Sequence, residues 1–236
     1  MKSNNRITLQ DIEKVLPLKT WYASIFVLPV SRIFILFFSN YKILTPNQIT
    51  FIAIFFRLIT AVMFLKGFFI IGAVFYYFAY VLDCVDGAVA RLTNQTSAFG
   101  RYLDHVSDLV GDIVVLCSLA FSQGLLFSYI LFGMVFMHIA ESYISYLMSF
   151  VCIEKKSDDL VGFLGLFERY RQFWFKRNFK SFLSSPDYAA FVFILMPILG
   201  EPKKGIEYGF FFLFMVVCYT IFSTFMSLHT GNKRFP

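Results

Sequence analysis

Runs of predominantly apolar positions recur near residues 46–66, 69–91, 99–122, 125–151 and 206–229. Each is long enough for a helix crossing the roughly 30 Å hydrocarbon core of a bilayer. A shorter run, 187–199, crosses only if its helix starts back at Ser184 or Ser185, or if the bilayer thins locally. Six spans result. Ahead of them, "WYASIFVLPVSRIFILFFSN" (21–40) is apolar but interrupted by Pro29 and Arg32. It predicts a helix lying in the interface, with Arg32 reaching for water along its apolar stem. The expected fold class is therefore all-α integral membrane, with six transmembrane helices and an N-terminal interfacial helix. Residues 1–45 form a cytoplasmic N-terminal region and 46–236 the six-helix membrane domain.

Charge placement orients this array. Of the 21 lysines and arginines, only Lys66, Lys203 and Lys204 fall on one side, and Arg57 lies inside a helix. The rest share the side of the N-terminal region, the 91–101 connection, the long 154–185 connection and the tail. Both termini and that connection are thus expected in the cytoplasm. The net charge of +6 is then accounted for by membrane orientation and anionic headgroups, with no nucleic acid required. With 58% hydrophobic and only 15% charged residues, a soluble domain is excluded. Cys84, Cys117, Cys152 and Cys218 stand singly in apolar runs and read as packing residues. The first twenty residues are polar and of mixed charge, unlike a signal peptide.

Within the long connection, "FLGLFERYRQFWFKRNFKSF" (163–182) interleaves aromatic and basic residues. Phe163, Phe167, Tyr170 and Trp174 recur at helical spacing, as on a basic amphipathic helix at the cytoplasmic leaflet. Arg169, Arg171, Lys176 and Arg177 read mainly as interfacial anchors, with binding of an acceptor phosphate as the alternative.

The stretch 81–112 carries five aspartates and two arginines between apolar flanks. Asp83, Asp86, Gly87, Ala90 and Arg91 fall along one face near the cytoplasmic end of the second span. Gly100, Asp104 and Asp108 recur at i, i+4 on the third. Unpaired, each aspartate near a helix centre costs about 2.5–3.5 kcal/mol, so two neighbouring helices presenting two carboxylates each imply a divalent cation. All-oxygen ligands select Mg²⁺, with Mn²⁺ as a substitute. Gly87 and Gly100 leave room for phosphates near the backbone. Arg91 is placed to hold one by paired hydrogen bonds.

The full pattern, D-x2-D-G-x2-A-R-x8-G-x3-D-x3-D, resembles the signature of the CDP-alcohol phosphotransferase family, as does "TPNQIT" at 45–50; "GLFER" at 165–169 is suggestive. The resemblance spans roughly residues 40–125. It implies a six-helix membrane enzyme, often a homodimer, that transfers a phosphatidyl-type group from a CDP-activated lipid, such as CDP-diacylglycerol, to a small alcohol acceptor with release of CMP, in phospholipid synthesis. It implies Asp83, Asp86, Asp104 and Asp108 as metal ligands and Asp108 as general base. Asp86, Gly87, Ala90, Arg91 and Gly100 would line the CDP pocket. The rival reading is a divalent-cation transporter using the same aspartates, which the clustering of acids in adjacent spans disfavours.

Other polar residues carry simpler expectations. Asp112 reads equally as support for the acids or as a solvated residue at an entrance. His105 reads as structural, and Asn47 as part of a helix start. His138 and Glu141 read as a pair satisfied between helices, with acceptor recognition as the alternative. Arg57, a lone cation in a span, is a functional candidate whose register against the aspartates is open.

Overall fold

A computed structural model describes residues 6–149, 152–155 and 162–234. Lys2 and Lys156 lie outside the described residues, as do the side chains of Cys152, Lys155, Phe163, Lys233 and Arg234. The described chain is a helical bundle: α1 (Leu9–Val15), α2 (Ala23–Tyr41), α3 (Pro46–Leu65), α4 (Phe69–Leu92), α5 (Ala98–Ser122), α6 (Tyr129–Ser149), α7 (Phe163–Phe175), α8 (Ser185–Ile198) and α9 (Pro202–Thr230). Strands β1 (Cys152–Lys155) and β2 (Gly231–Arg234) pair antiparallel in a short ribbon beyond α6 and α9.

Local chemistry sets the helix ends near the aspartate motif. Thr45 caps α3 in a reciprocal box: its N–H donates to Gln48 Oε1 at 2.8 Å while its hydroxyl accepts from Gln48 N at 3.4 Å, with Pro46 in the first turn. The α3–α4 reversal is a Schellman turn in which Gly67 (φ 78°) lets Phe68 N donate to Met63 O at 2.9 Å. Asn94 (φ 55°) plays the same part after α4, with Gln95 N on Ala90 O at 2.8 Å. Three residues after Asn94 comes Ser97, whose hydroxyl caps α5 by accepting from Gly100 N at 2.9 Å. Helices α4 and α5 each pack along α3, and the tight ends and short link turn their aspartate-bearing halves toward a shared gap.

Six helices are long and apolar enough to cross a membrane among the described residues, but they are not the six expected. Ala23–Tyr41 qualifies by length and apolarity, whereas Ser185–Ile198 does not. Helix α8 does begin at Ser185, where the sequence requires it to begin if it is to cross. At 1.5 Å per residue it reaches only about 21 Å. It can be short because it is wrapped by protein: Tyr188, Ala189, Ala190, Val192 and Phe193 are all buried, packed against Tyr76 of α4, Met134 of α6 and Leu213 of α9. These residues belong to one core, whose Tyr76 hydroxyl reaches Asp112 at 2.8 Å. A second core, with Ile12, Val27, Ile35, Ile49, Val81 and Val85, fixes the N-terminal helices to α3 and α4.

Helix α2, although span-length, has both ends at the acid-bearing end of the bundle. At its start Tyr22 N donates to Asp187 Oδ1 at 2.7 Å; at its finish Asn40 is bonded to both backbone groups of Ile7, and four residues later α3 begins. Arg32 does not reach for water: it pairs with Glu13 at 2.5 Å.

Asp187 joins these parts. Buried in the first turn of α8, it accepts from Ser184 N (2.9 Å), Ser184 Oγ (2.8 Å) and Tyr22 N. Asp187→Ala strands a buried N–H and removes a cap, and is expected to cost about 1–3 kcal/mol. Thermal unfolding in detergent measures it; an unchanged midpoint would mean that the N-terminal segment is held elsewhere.

Candidate active site

The last turns of α4 and the first turns of α5 carry the acids. Carboxylate oxygens of Asp83, Asp104 and Asp108 lie within 4.8 Å of one another. Asp86, 4% exposed, stands beside this trio and accepts a short hydrogen bond from Thr50 Oγ1, which gives "TPNQIT" a direct role in shaping the site.

Arg57 of α3 enters the cluster from behind. Its Nη1 lies 2.7 Å from Asp108 Oδ1, its Nη2 3.6 Å from Asp83 Oδ1 and its Nε 3.8 Å from Asp112 Oδ1. Asp112 also accepts from Tyr76 OH at 2.8 Å. It is thereby a buttress of the acid cluster, not a solvated residue. Gly111 makes room for this arrangement, since a Cβ there would sit 2.7 Å from Arg57 Cδ.

A cleft of about 290 Å³ opens beside the trio. Asp83, Asp86, Gly87, Arg91 and Asp104 line one side, and Leu18, Lys19 and Thr20 of the N-terminal segment, with Lys180 and Pro186, line the other. Arg91 folds back over Gly87, where a Cβ would lie 3.3 Å from its Nη1, and is pinned by donating from Nε to Val15 O at 2.8 Å. Ala90 and Gly100 are outside the cleft walls. Gly100 instead faces Ser97 Oγ and Asn47 Oδ1, at 3.1 and 3.3 Å from where its Cβ would be. Lys19 also binds Glu13 at 2.7 Å, and this bond, backed by Arg32, holds the Glu13 carboxyl below the usual range against its partial burial.

These residues suit a hard divalent cation. The ligand atoms are all carboxylate oxygens. Among the described residues, Asp83, Asp108 and Asp112 pair with Arg57, while Arg91, Lys180 and Lys19, the last already bound to Glu13, stand in the cleft walls, so the five aspartates still carry an excess of negative charge inside membrane-length helices. Buried Asp83 Oδ1 and Asp108 Oδ1 accept no hydrogen bond and face only the guanidinium.

Residues 43–226 match the sequence model of the CDP-alcohol phosphatidyltransferase family. The chain belongs to that family. Among relatives of this family member, the archaetidylinositol phosphate synthase of Pyrococcus horikoshii is 34% identical over 77 residues, 33% of this chain and 41% of the relative. The CDP-diacylglycerol–inositol 3-phosphatidyltransferase of Drosophila melanogaster is 37% identical over 83 residues, 35% of this chain and 37% of the relative. The match thus spans less than half the length of either curated relative. In fold, the family member resembles the Mycobacterium tuberculosis phosphatidylinositol phosphate synthase solved with CDP-DAG bound, with TM-score 0.53 at 19% identity over 87% of this chain and 92% of that one. It also resembles the same synthase in complex with manganese and citrate, with TM-score 0.53 at 18% identity over 86% and 88%.

Outside the motif, several expectations change. His138 and Glu141 do not pair with one another: His138 Nε2 meets Tyr188 OH at 3.3 Å, and Glu141 binds Ser145 and Ser185, each at 3.2 Å. Three positions along a helix, their side chains diverge enough to reach different parts of α8. Arg171 is no anchor; it is buried and donates to Ser223 O at 2.7 Å, tying α7 to α9. His105 is structural, stacked on Tyr146 and 3.3 Å from Ser142 Oγ. Cys84 and Cys117 are half-buried free thiols, but Cys218 is exposed. Lys19, Tyr76, Gly111 and Lys180 carried no site signal in the sequence, because each acts across elements distant in the chain; Thr50 was visible only as part of "TPNQIT".

Proposed function

We propose that the chain transfers a phosphatidyl-type group from a CDP-activated lipid, CDP-diacylglycerol or a close analogue, to a small alcohol acceptor, releasing CMP, as a step of phospholipid biosynthesis. The observation that carries this reading is the convergence of Asp83, Asp104 and Asp108 within 4.8 Å beside a cleft lined by Arg91, Lys19 and Lys180. An acid trio matches a cation, and the cations Arg91, Lys19 and Lys180 that share the cleft with these acids match a diphosphate. Family membership supports the reaction class, and the synthase of similar fold has CDP-DAG bound.

In this reading Asp83, Asp86, Asp104 and Asp108 hold Mg²⁺, or Mn²⁺ in its place. Bound there, the cation neutralises charge on the diphosphate. Arg91, Asp86 and Gly87 form the CDP side of the site, with Lys19 and Lys180 across the cleft; Ala90 and Gly100 shape it from outside the walls. Asp108 accepts the proton of the acceptor hydroxyl as its oxygen bonds to the lipid-side phosphorus. The bond from that phosphorus to the bridging oxygen breaks, and the electron pair leaves on CMP. The excess of basic residues at the site end supports a cytoplasmic face for it. Helix α2, tethered at both ends there, lies in the interface. The working unit is a homodimer in the bilayer, as family membership suggests.

Purified protein given radiolabelled CDP-diacylglycerol, Mg²⁺ and a panel of inositol phosphate, glycerol phosphate, serine and polyols tests the reading. Acceptor-dependent CMP release is expected. Divalent-ion flux into proteoliposomes with no CMP release from any acceptor would replace it with a transporter.

A further inference from the structure

Arg57 is the one cation that touches three of the five aspartates, and it lies outside the cleft: it borders a separate apolar groove between α3 and α5, lined by Ile54, Leu58, Val106 and Val110 among others. Its side chain is 5% exposed. It lies against one oxygen of each of two acids, 2.7 Å from Asp108 Oδ1 and 3.6 Å from Asp83 Oδ1. Asp108 Oδ1 is buried, yet the Asp108 side chain as a whole is 43% exposed, so its two oxygens face different surroundings. The geometry points to Arg57 as a positioning residue: it occupies the inner oxygens of Asp83 and Asp108, supplies a fixed positive charge behind them, and so restricts divalent cations to their outer oxygens with Asp86 and Asp104. The absence of a side chain at Gly111 leaves room for the Arg57 stem, and Asp112, itself bonded to Tyr76, lies 3.8 Å from its Nε. This inference rests on the metal-site reading above but is tested apart from transfer.

A cation fixed within 4 Å of two ligands repels a divalent ion as well as orienting the carboxylates. Its removal should therefore strengthen metal binding while harming turnover, a pair of opposite effects that simple loss of structure does not produce. Mn²⁺ binding to the purified, nucleotide-free protein, followed by the paramagnetic resonance of free Mn²⁺, is the readout. Arg57→Met is expected to bind Mn²⁺ at least about tenfold more tightly, or to take up an additional ion, and to lose most transfer activity. Arg57→Lys, which keeps the charge without the planar fork, should bind Mn²⁺ like the parent chain and recover part of the turnover. Should Arg57→Met fail to fold, Gly111→Ala displaces the side chain from Cδ with the charge retained, and a fall in turnover is expected without weaker Mn²⁺ binding. Parental Mn²⁺ affinity and turnover in Arg57→Met would overturn the assignment, as would unchanged turnover in Gly111→Ala. If the parent chain transfers nothing, the proposed reaction fails, and the Mn²⁺ titrations still decide the role of Arg57.

Discussion

Asp108→Asn is expected to lower turnover by about 10³-fold, within the range that a positioned general base contributes, while leaving CDP-diacylglycerol bound. The substitution keeps the shape of the side chain and its place against Arg57, but an amide cannot accept the acceptor's proton. Asp108 is not among the walls of the cleft that holds Asp86, Gly87 and Arg91, so the donor keeps its contacts. The check is single-turnover CMP release alongside equilibrium binding of labelled donor. Retained turnover would move the base to another group. Loss of donor binding together with turnover would instead make Asp108 chiefly a ligand.

Asp104→Asn should behave differently. Asp104 belongs to the trio within 4.8 Å and also lines the cleft, so losing its charge removes a ligand to the cation and a neighbour of the diphosphate together. Mn²⁺ binding is expected to weaken by at least about a hundredfold, beyond what outer partners of metal ligands usually contribute, and turnover to fall with it. Excess Mn²⁺ should restore part of the rate in Asp104→Asn and none in Asp108→Asn. Equal rescue of both variants, or of neither, would refute this division of roles.

How far the site could be read from the chain depends on how local each contact is. The acids at 83, 86, 104 and 108 were legible because helical spacing puts each pair on one face and a short link joins the two helices. Arg57 was visible as an anomaly, but its register was not: α3 touches α4 and α5 along their lengths, and only packing decides which turn meets Asp108. Asp112 was ambiguous for the same reason, since Tyr76 and Arg57 both come from other helices. The six-span count held while the list of span-length helices shifted. Apolar length cannot tell a helix facing lipid from one such as α8 that is sheathed by its neighbours, nor reveal that both ends of α2 are fastened to the same end of the bundle. The pairing of His138 with Glu141 failed because sharing a helix face leaves open which neighbour each side chain meets.

All five aspartates sit on one hairpin, α4 and α5, and the residue that counters three of them, Arg57, is on the helix made just before it. During synthesis the guanidinium therefore reaches the translocon ahead of the carboxylates. When residues 69–122 enter the lipid, their charges meet a waiting partner instead of hydrocarbon, and insertion of the most acidic stretch need not await α6 to α9.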